Sequence, residues 1–275
     1  MSSPARKKKR RKLAYKQHLI AYLDILGFRE LIKTKPPGFI SHVIGQAIKW
    51  TCPDEEERKT FKENYVNFSD LIVHTIPLET RYNMAMPDGA VYYEIKNLAI
   101  AQAILMIEKV LLRGALVVGQ LERSYAVVFG PGLIAAYDLE RSYAQYPRII
   151  LAPELLQNVK ENPLLRAHAY NEEMTYISDY IKRDDDGMVF IDYLGGWKAV
   201  AESEEVYVDF LKTHKKLIEN RIVEFRSDGR ILPKYLWLKK YHDAVVRSRV
   251  TEDRRQECFV SMPETTPEIP DLHSY

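Results

Sequence analysis

Cysteine, long apolar runs and an excess of charge of one sign are all scarce in this chain of 275 residues. Its two cysteines, Cys52 and Cys258, are too few and too far apart for a disulfide framework or a zinc knuckle. No stretch reaches the roughly 20 apolar residues that a membrane span requires. The seven histidines show no metal-ligand spacing, and no Ser-His-Asp or Cys-His pattern is present. We therefore expect a cytoplasmic protein without a membrane span or a catalytic triad.

The charges nearly balance, with 40 Lys and Arg against 38 Asp and Glu. Residues 5–12 form a dense basic run, which cannot pack into a core and is predicted to belong to a disordered basic tail over 1–16. No apolar segment follows this run directly, so it does not resemble a secretory signal. A solubilising tail is the favoured interpretation, and nucleic-acid binding is not expected.

Strand-like and helix-like patterns alternate along the first 155 residues. Strands are predicted over 17–25, 64–76, 113–119, 124–130 and 148–154, and helices from Phe28, over 39–50, over 90–112 and over 132–145. The segment 64–76 fits either one strand or the first half of a hairpin. This order predicts an α+β fold with a ferredoxin-like βαββαβ core. A strand over 188–194 and helices from Glu204 and over 233–249 are predicted beyond it.

Two aspartates lie in the middle of apolar, strand-like runs: Asp24 in AYLDILGF and Asp70 in NFSDLIVH. A carboxylate is costly to desolvate unless a positive group meets it, so the pair suggests a shared cation. The alternatives are a helix N-cap for Asp24 and a turn residue for Asp70. The N-cap alternative is weak, because Asp24 lies inside the apolar run and Gly27 separates it from the next helix. Since the chain turns at Gly27 into that helix, backbone N–H groups of residues 25–28 are expected to face an anion held by the cation.

Three further features are ambiguous on the sequence alone. Arg113 begins the apolar run RGALVVG, where an arginine either extends to solvent at a sheet edge or pairs with an anion. The segment FGPG before the helix from 132 has only a weak likeness to a phosphate-binding loop. The acidic run 184–186 is predicted to be a solvated turn, because the full spacing of a calcium loop is absent.

Taken together, these segments resemble the catalytic domain of class III nucleotide cyclases, the adenylate and guanylate cyclase family. AYLDILGF is similar to the family's first metal-binding strand, and SDLIV to its second metal-binding hairpin. RGALVVG resembles the Arg-x-Gly-Ile-x-x-Gly strand, and FGPGLIAAYDLE the Gly-x-x-Val-Asn-x-Ala-x-Arg-x-Glu helix. Each motif is short, and the specificity comes from four motifs in the same order over residues 17–195.

The resemblance implies a role for each matching residue. Asp24 and Asp70 would bind two Mn²⁺ or Mg²⁺ ions per site, and the Ile25 carbonyl would add a ligand to one of them. Phe28 would line the nucleotide pocket, and Arg113 would hold the triphosphate. The family builds each site between two catalytic domains, so a head-to-tail homodimer with sites at the interface is implied.

Four positions depart from the family pattern. Val66 and Val127 occupy the positions at which purine cyclases have the polar residues that recognise the base. Ile134 and Asp138 occupy the positions of the family's Asn and Arg, which orient the ribose and stabilise the transition state. This combination resembles the pyrimidine cyclases of bacterial anti-phage defence. The candidate base contacts are Tyr65, Asn67, Tyr125 and Tyr137, and the candidates for a substitute cation are Arg29, Arg141 and Arg148.

The resemblance therefore implies a cyclase that converts UTP, in preference to CTP, to the 3′,5′-cyclic monophosphate and pyrophosphate. The product would act on a separate effector that senses it and that the enzyme does not bind directly. The chain would divide into the tail 1–16, a catalytic domain over 17–200, a helical extension over 201–255 and a flexible tail over 256–275. The main alternative is an inactive cyclase-like module that binds a nucleotide or a protein. A diguanylate cyclase is disfavoured, because its Gly-Gly-Asp/Glu-Glu-Phe signature is absent.

Overall fold

The computed structural model describes residues 14–51, 64–81, 83–124 and 127–262. The strands are β1 (Lys16–Ile25), β2 (Asn64–Phe68), β3 (Leu71–Pro77), β4 (Leu112–Ser124), β5 (Val127–Phe129), β6 (Ile149–Leu151), β7 (Ile181–Arg183) and β8 (Val189–Ile191). The helices are α1 (Phe28–Thr34), α2 (Pro37–Thr51), α3 (Ala90–Ile107), α4 (Pro131–Tyr143), α5 (Leu155–Glu161), α6 (Tyr170–Ser178), α7 (Tyr193–Lys198), α8 (Glu204–Glu224), α9 (Leu232–Arg249) and α10 (Glu252–Cys258).

The strands form one mixed sheet in the order β2-β3-β1-β4-β6-β8-β7, and β5 pairs with β4. The first four strands are antiparallel to their neighbours, with β1 between β3 and β4. That order is the ferredoxin-like arrangement, so the predicted α+β fold with its βαββαβ core is confirmed. Strand β6 runs parallel to β4, and β8 and β7 extend the sheet in antiparallel fashion.

Two stretches differ in detail from the sequence prediction. The segment 64–76 is a hairpin, β2–β3, whose turn contains Ser69 in the left-handed region at φ 61°. The predicted strand over 188–194 is shorter, because α7 begins at Tyr193 and the Asp192 side chain accepts a hydrogen bond from Gly195 N to cap it. A cap favours the helix over continued strand pairing.

The two faces of β1 have different partners, because successive side chains of a strand point to opposite sides. Leu19, Leu23 and Ile25 are buried in the main hydrophobic core. Helix α4 packs on the other face, where Gly132 lies so close to Gly119 that a Cβ on Gly119 would be 2.5 Å from Gly132 Cα. This close approach brings α4 against the strands that carry the candidate site.

Helix α3 is long and apolar enough to cross a membrane by length and composition alone. Most of its residues are buried inside the protein, including Val91, Ile95 and Leu98, so α3 is a core helix of this fold. This agrees with the interpretation of 90–112 as a helix buried against the rest of the domain, although the helix ends at Ile107.

The C-terminal helices α8, α9 and α10 pack against one another, and α8 and α9 also pack against α7. Tyr207, Leu211 and Leu238 contribute buried side chains to the same core as the sheet. Cys258 and Val260 are also buried, so the packed chain continues to the end of the described region. The division of the chain into 17–200, 201–255 and 256–275 stays a prediction, and the basic run 5–12 lies outside the described residues.

Candidate active site

Asp24 and Asp70 meet at one end of the sheet. Asp24 lies near the end of β1, where its register partners are Leu71 on β3 and Arg113 on β4. Asp70 directly precedes Leu71, in the turn of the β2–β3 hairpin. Burial raises the pKa of Asp24, whereas the hydrogen bond from Arg113 and the positive charge of Arg113 lower it. The charge of Asp70 and a hydrogen bond with Asp70 raise the pKa of Asp24 further. The two carboxylates are therefore close enough to interact directly.

Arg113 lies between two carboxylates at the start of β4. Its Nε donates to Asp24 Oδ2 at 2.6 Å and is 3.1 Å from Glu140 Oε1 on α4. Burial raises the pKa of Glu140, and the Arg113 charge opposes that rise. The sequence analysis did not single out Glu140. Its position as the glutamate of the FGPGLIAAYDLE motif, one helical turn after buried Ala136, was the signal that could have found it.

A largely apolar groove of 530 Å³ opens beside these charges. It brings together Val66, Val127 and Ile134, three of the four positions at which the chain departs from the purine-cyclase pattern. These side chains are 40%, 52% and 63% exposed, respectively. Tyr137, a predicted substrate contact, also lines the groove, 6.0 Å from the ring centre of Tyr22 in an edge-to-face arrangement. The remaining lining residues are Leu71, Val73, Val128 and Leu133.

Tyr22 connects the groove to the acidic centre, because it lies two residues before Asp24 on the same face of β1. Burial raises the pKa of the Tyr22 hydroxyl, and the charge of Glu140, the neighbouring Tyr137 hydroxyl and the charges of Asp24 and Asp70 raise it further. The groove and the carboxylates thus form one continuous surface.

Ile25 and Phe28 are both core residues. Ile25 is 1% exposed, so its backbone carbonyl is the only part of the residue that suits the predicted ligand role. Phe28 is 7% exposed and packs in the main core at the first position of α1. It does not line the apolar groove described above.

The side chains of two other candidate base contacts, Tyr65 and Tyr125, are outside the part of the chain that the structure describes. The Tyr65 backbone pairs with His74 in the β2–β3 hairpin, but its side chain is outside the described part of the structure, as is the whole of Tyr125. Asn67 has a structural role, because its Nδ2 donates to Ser69 O at 3.1 Å and Leu71 O at 3.2 Å. Asn67 therefore closes the hairpin turn that presents Asp70.

The turn between β1 and α1 contains Gly27 in the left-handed region at φ 75°. The expectation that N–H groups of residues 25–28 face an anion is wrong for Leu26, whose N–H donates to Leu111 O at 2.8 Å. That bond extends the pairing of β1 with β4 into the turn. It therefore fixes the direction in which the chain leaves Asp24.

The Asp24 and Asp70 pair is suited to a hard divalent cation. Two interacting carboxylates repel each other, and a cation between them would relieve this repulsion. Within the described ranges, no group of three His, Cys, Asp or Glu side chains is arranged to hold a metal ion. The protein ligands would thus be two carboxylates and the Ile25 carbonyl, and Mg²⁺-type sites complete such a set with water and substrate phosphates.

Arg148 has a structural role and is not a substitute cation for the site. Its guanidinium is fully buried and binds the carboxylates of Asp184 and Asp186. It also lies over the rings of Tyr146 and Trp237, at 5.3 and 5.6 Å from their centres. The acidic run 184–186 is an exposed turn, as predicted, and its carboxylates also form ion pairs, with Arg148 and with Lys240. Of the other two candidates, Arg29 is exposed, and Arg141 Nη1 donates to the Tyr137 hydroxyl at 3.1 Å.

A lysine from the C-terminal helices also reaches this end of the sheet. Lys234, in the first turn of α9, has its pKa lowered by burial and by the Arg113 charge, while the charges of Asp24 and Asp228 oppose this. The charge of Lys234 is therefore part of the electrostatic environment of Arg113 and Asp24. No sequence signal identified Lys234, because it is more than 200 residues from Asp24 along the chain and beyond the region of the motifs.

Comparisons with known proteins give matches among solved structures only; no protein-family model and no curated protein matches the chain. The guanylyl cyclase Cya2 is 10% identical, at a TM-score of 0.37, over 65% of this chain and 92% of its own. The guanylyl cyclase domain of the RhoGC fusion protein from the aquatic fungus Blastocladiella emersonii is 12% identical, with a TM-score of 0.36, and the match covers 64% of this chain and 93% of that domain. A class III adenylyl cyclase-like ATP-binding protein from Pseudomonas aeruginosa is 10% identical, with a TM-score of 0.37, and the match covers 59% of this chain and 40% of that protein. Likeness at this level does not assign a function.

Proposed function

We propose that this protein is a metal-dependent nucleotide cyclase that converts a pyrimidine nucleoside triphosphate, UTP in preference to CTP, to its 3′,5′-cyclic monophosphate. The observation that carries the proposal is the convergence of Asp24, Asp70 and Arg113 at one end of β1. Paired carboxylates for divalent ions next to a guanidinium form a common arrangement for phosphoryl-transfer chemistry, which depends mainly on positioning and charge stabilisation.

In this mechanism Asp24 and Asp70 would hold Mn²⁺ or Mg²⁺, two ions per site, and the Ile25 carbonyl would be a further ligand. Ions bound there would lower the pKa of the ribose 3′-hydroxyl and neutralise charge on the phosphates. The 3′ oxygen forms a bond to the α-phosphorus, the bond from that phosphorus to the bridging oxygen breaks, and pyrophosphate leaves. The hydroxyl proton goes to solvent or to a phosphate oxygen. Arg113 orients the phosphates, and Glu140 holds the guanidinium in place.

The apolar groove supports a pyrimidine substrate. A purine edge against Val66 and Val127 would leave polar groups unpaired, at a cost of about 1–3 kcal/mol for each group. Tyr137, whose hydroxyl accepts from Arg141, offers an aromatic face and a polar group to a smaller base. We assign the base to this groove and its polar contact to Tyr137.

The exposed apolar residues around the groove support a homodimer with two sites at its interface. Phe68 is 78% exposed and Phe129 is 42% exposed, next to Val66, Val127 and Ile134. A contiguous exposed apolar surface of this kind is typical of a protein interface. In the proposed dimer one subunit supplies the carboxylates, and the other supplies the base and ribose contacts. The product would be a cytoplasmic second messenger in anti-phage defence, sensed by a separate effector.

The second candidate is an inactive module that binds a nucleotide or a protein. Two features favour it: the apolar Ile134 and the acidic Asp138 replace the ribose-orienting Asn and the transition-state Arg, and the Arg113 guanidinium is engaged by Asp24 and Glu140. Such a module would bind a nucleoside triphosphate with a divalent ion and release it unchanged.

The first prediction separates these candidates. The purified protein is incubated with Mn²⁺ and each of ATP, GTP, CTP and UTP, and the cyclic product and pyrophosphate are quantified by mass spectrometry. We expect cyclic UMP as the main product and a loss on the order of 100-fold or more in Asp24→Asn and Asp70→Asn.

Asp209→Asn is the matched control, because Asp209 is an exposed carboxylate on α8 whose nearest cation, Lys212, is 3.9 Å away. It should retain wild-type activity. Nucleotide binding without any cyclic product would favour the inactive module, and full activity in Asp70→Asn would rule out the assigned site.

A further inference from the structure

We propose that a cavity between α1, α8 and the start of α9 is a binding site for a small aromatic carboxylate. The cavity shares no lining residue with the apolar groove beside Asp24 and Asp70, so it is a second and separate site. The proposal does not depend on the proposed cyclase activity.

The cavity has a volume of 290 Å³ and adjoins the turn that follows β1. Leu26 and Gly27 of that turn line it, together with Leu111, whose carbonyl accepts the Leu26 N–H at 2.8 Å. Pockets for small molecules in proteins usually measure about 300–1,000 Å³, so this cavity suits a ligand at the small end of that range. A ligand bound here would contact the turn that directly follows Asp24 and Ile25.

The uncharged part of the lining is apolar and includes a pair of stacked rings. The Phe225 and Tyr235 rings lie with their centres 5.8 Å apart and their planes 5° from parallel. The Arg221 guanidinium extends this stack, 5.8 Å from the Phe225 ring centre. Leu31 and Leu217 add aliphatic surface. A flat apolar group in the cavity would therefore contact aromatic rings that are already ordered.

The charged part of the lining has an excess of positive charge. Its members are Glu30, Lys35, Lys109, Arg221 and Glu224. Both carboxylates already have a cationic partner, because Glu224 Oε2 accepts from Arg221 Nη1 at 2.7 Å and Glu30 Oε2 accepts from Lys33 Nζ at 3.5 Å. The two lysines of the lining are therefore not balanced by either carboxylate, and an anionic ligand is favoured over a cation.

Lys109 is the better placed of these two lysines. Its Nζ has no hydrogen-bond or ion-pair partner among the described residues, whereas the Lys35 ammonium lies 5.6 Å from the Phe39 ring centre. Lys109 follows the end of α3 with φ 62°, in the left-handed region where glycine is the usual residue. Residues held in such backbone conformations are common at ligand sites. We assign the ligand carboxylate to Lys109 and the ligand ring to the stacked pair Phe225 and Tyr235.

The second prediction tests the site with 1-naphthoate as the probe and the full chain. Leucine methyl NMR should show saturable shifts at Leu111 and Leu217, in the cavity, and none at Leu71 and Leu133, in the apolar groove. Lys109→Gln should raise the Kd for 1-naphthoate roughly threefold to tenfold, because a charge-assisted hydrogen bond to a solvent-accessible lysine is lost. The cation of similar shape, 1-naphthylmethylamine, should bind more weakly than 1-naphthoate.

Lys216→Gln is the matched control and should leave the Kd unchanged. Lys216 is exposed on α8 beside Leu217 and also has no partner among the described residues, but it does not line the cavity. Lys109→Gly should lose as much affinity as Lys109→Gln with an equal or higher Tm, because glycine adopts φ 62° without strain. Weaker binding in that variant could therefore not be ascribed to unfolding.

Four results would each overturn the proposal: no saturable shifts, shifts confined to the groove leucines, equal affinity for the anion and the cation, or an unchanged Kd in Lys109→Gln. None of these measurements requires turnover. A wild-type protein that binds 1-naphthoate in the cavity and cyclises no nucleotide would contradict the proposed function and leave this site in place.

Discussion

At the scale of single residues, the site combines groups that are individually unfavourable in the ligand-free chain. Asp24 is partly buried beside a second carboxylate, and burial raises the pKa of Glu140, which shares Arg113 with Asp24. Groups in such environments lower the stability of the folded state and are common at functional sites. A substitution that removes one of these charges should therefore separate stability from activity.

The third prediction concerns the stability of Asp24→Asn. Burial and Asp70 raise the pKa of Asp24, and a carboxyl group with a raised pKa makes the folded state less stable at neutral pH than it is in acid. Asparagine keeps the size of the side chain and removes the charge. We expect a Tm equal to that of the wild type or up to about 2–4 °C higher, the shift that about 1 kcal/mol produces in a chain of this size.

Differential scanning calorimetry without added metal measures this effect, with Asp209→Asn as the exposed control that should not shift. A Tm several degrees below the wild type would instead show that the bond from Arg113 makes Asp24 a net stabilising residue.

At the scale of elements, the contact of α4 with the sheet positions both Glu140 and Tyr137. Gly119 on β4 and Gly132 on α4 allow this contact, because neither has a side chain where the helix approaches the strand. The contact also involves Ile20, since a Cβ on Gly132 would lie 2.7 Å from Ile20 Cδ1. The distance of α4 from the sheet therefore controls the width of the groove.

The fourth prediction is that Gly119→Ala destabilises the protein by about 1–3 kcal/mol, as overpacking against backbone usually does. Its Cβ would be 2.5 Å from Gly132 Cα, and a backbone atom cannot move aside cheaply. The proposed cyclase activity should fall as well, because α4 carries Glu140. Urea denaturation gives the stability change.

Gly45→Ala provides the matched control. Gly45 is in α2 with nothing within 4 Å of an added Cβ, so alanine should stabilise the helix by roughly 0.5–1 kcal/mol. If Gly119→Ala were as stable as Gly45→Ala, the contact between α4 and β4 would be looser than described.

At the scale of the whole molecule, a buried chain of hydrogen bonds connects the C-terminal helices. Tyr193 OH pairs with His214 Nε2 at 2.8 Å, His214 Nδ1 with His242 Nδ1 at 2.8 Å, and His242 Nε2 with Cys258 O at 2.9 Å. The Cys258 carbonyl can only accept a hydrogen bond, so His242 carries its proton on Nε2 and donates it to that carbonyl. His242 Nδ1 then accepts a hydrogen bond from the N–H at His214 Nδ1. The two imidazoles are thus satisfied when both are neutral.

The fifth prediction follows from this chain. Burial lowers the pKa of both histidines; the His242 charge lowers that of His214 further, whereas the bond to Cys258 O and the charge of Asp243 oppose the change at His242. A histidine whose pKa is lower in the folded than in the unfolded protein stabilises the folded state at a pH above about 6.5, the pKa of histidine in the unfolded chain. This stabilisation is lost as the pH falls below that value. Each group contributes up to about 1.4 kcal/mol per pH unit in that window.

Urea denaturation at pH 7.5, 6.5 and 5.5 measures this dependence. The free energy of unfolding should fall below pH 6.5 in the wild type and fall less steeply in His242→Gln. A wild-type curve without this fall between pH 6.5 and 5.5 would contradict the neutral chain.

The fold and the acidic centre were predictable from sequence for the same reason: local patterns carry them. Alternation and helical spacing gave the βαββαβ order, and aspartates inside apolar runs identified Asp24 and Asp70. Short elements such as α5 and β7 contain too few residues for a period to show. Arg148 was misjudged, because the residues that surround it, in the β7–β8 turn and on α9, are distant from it in sequence.

The pairing of β1 with β4 along the whole of β1 has a consequence for how this protein can diverge. Inserting or deleting a single residue within either paired strand would invert the side chains beyond that point, so that Asp24 and Arg113 would no longer lie on the same face of the sheet. Related chains should accordingly vary in length within their loops and terminal helices, whereas these two strands should keep a constant number of residues.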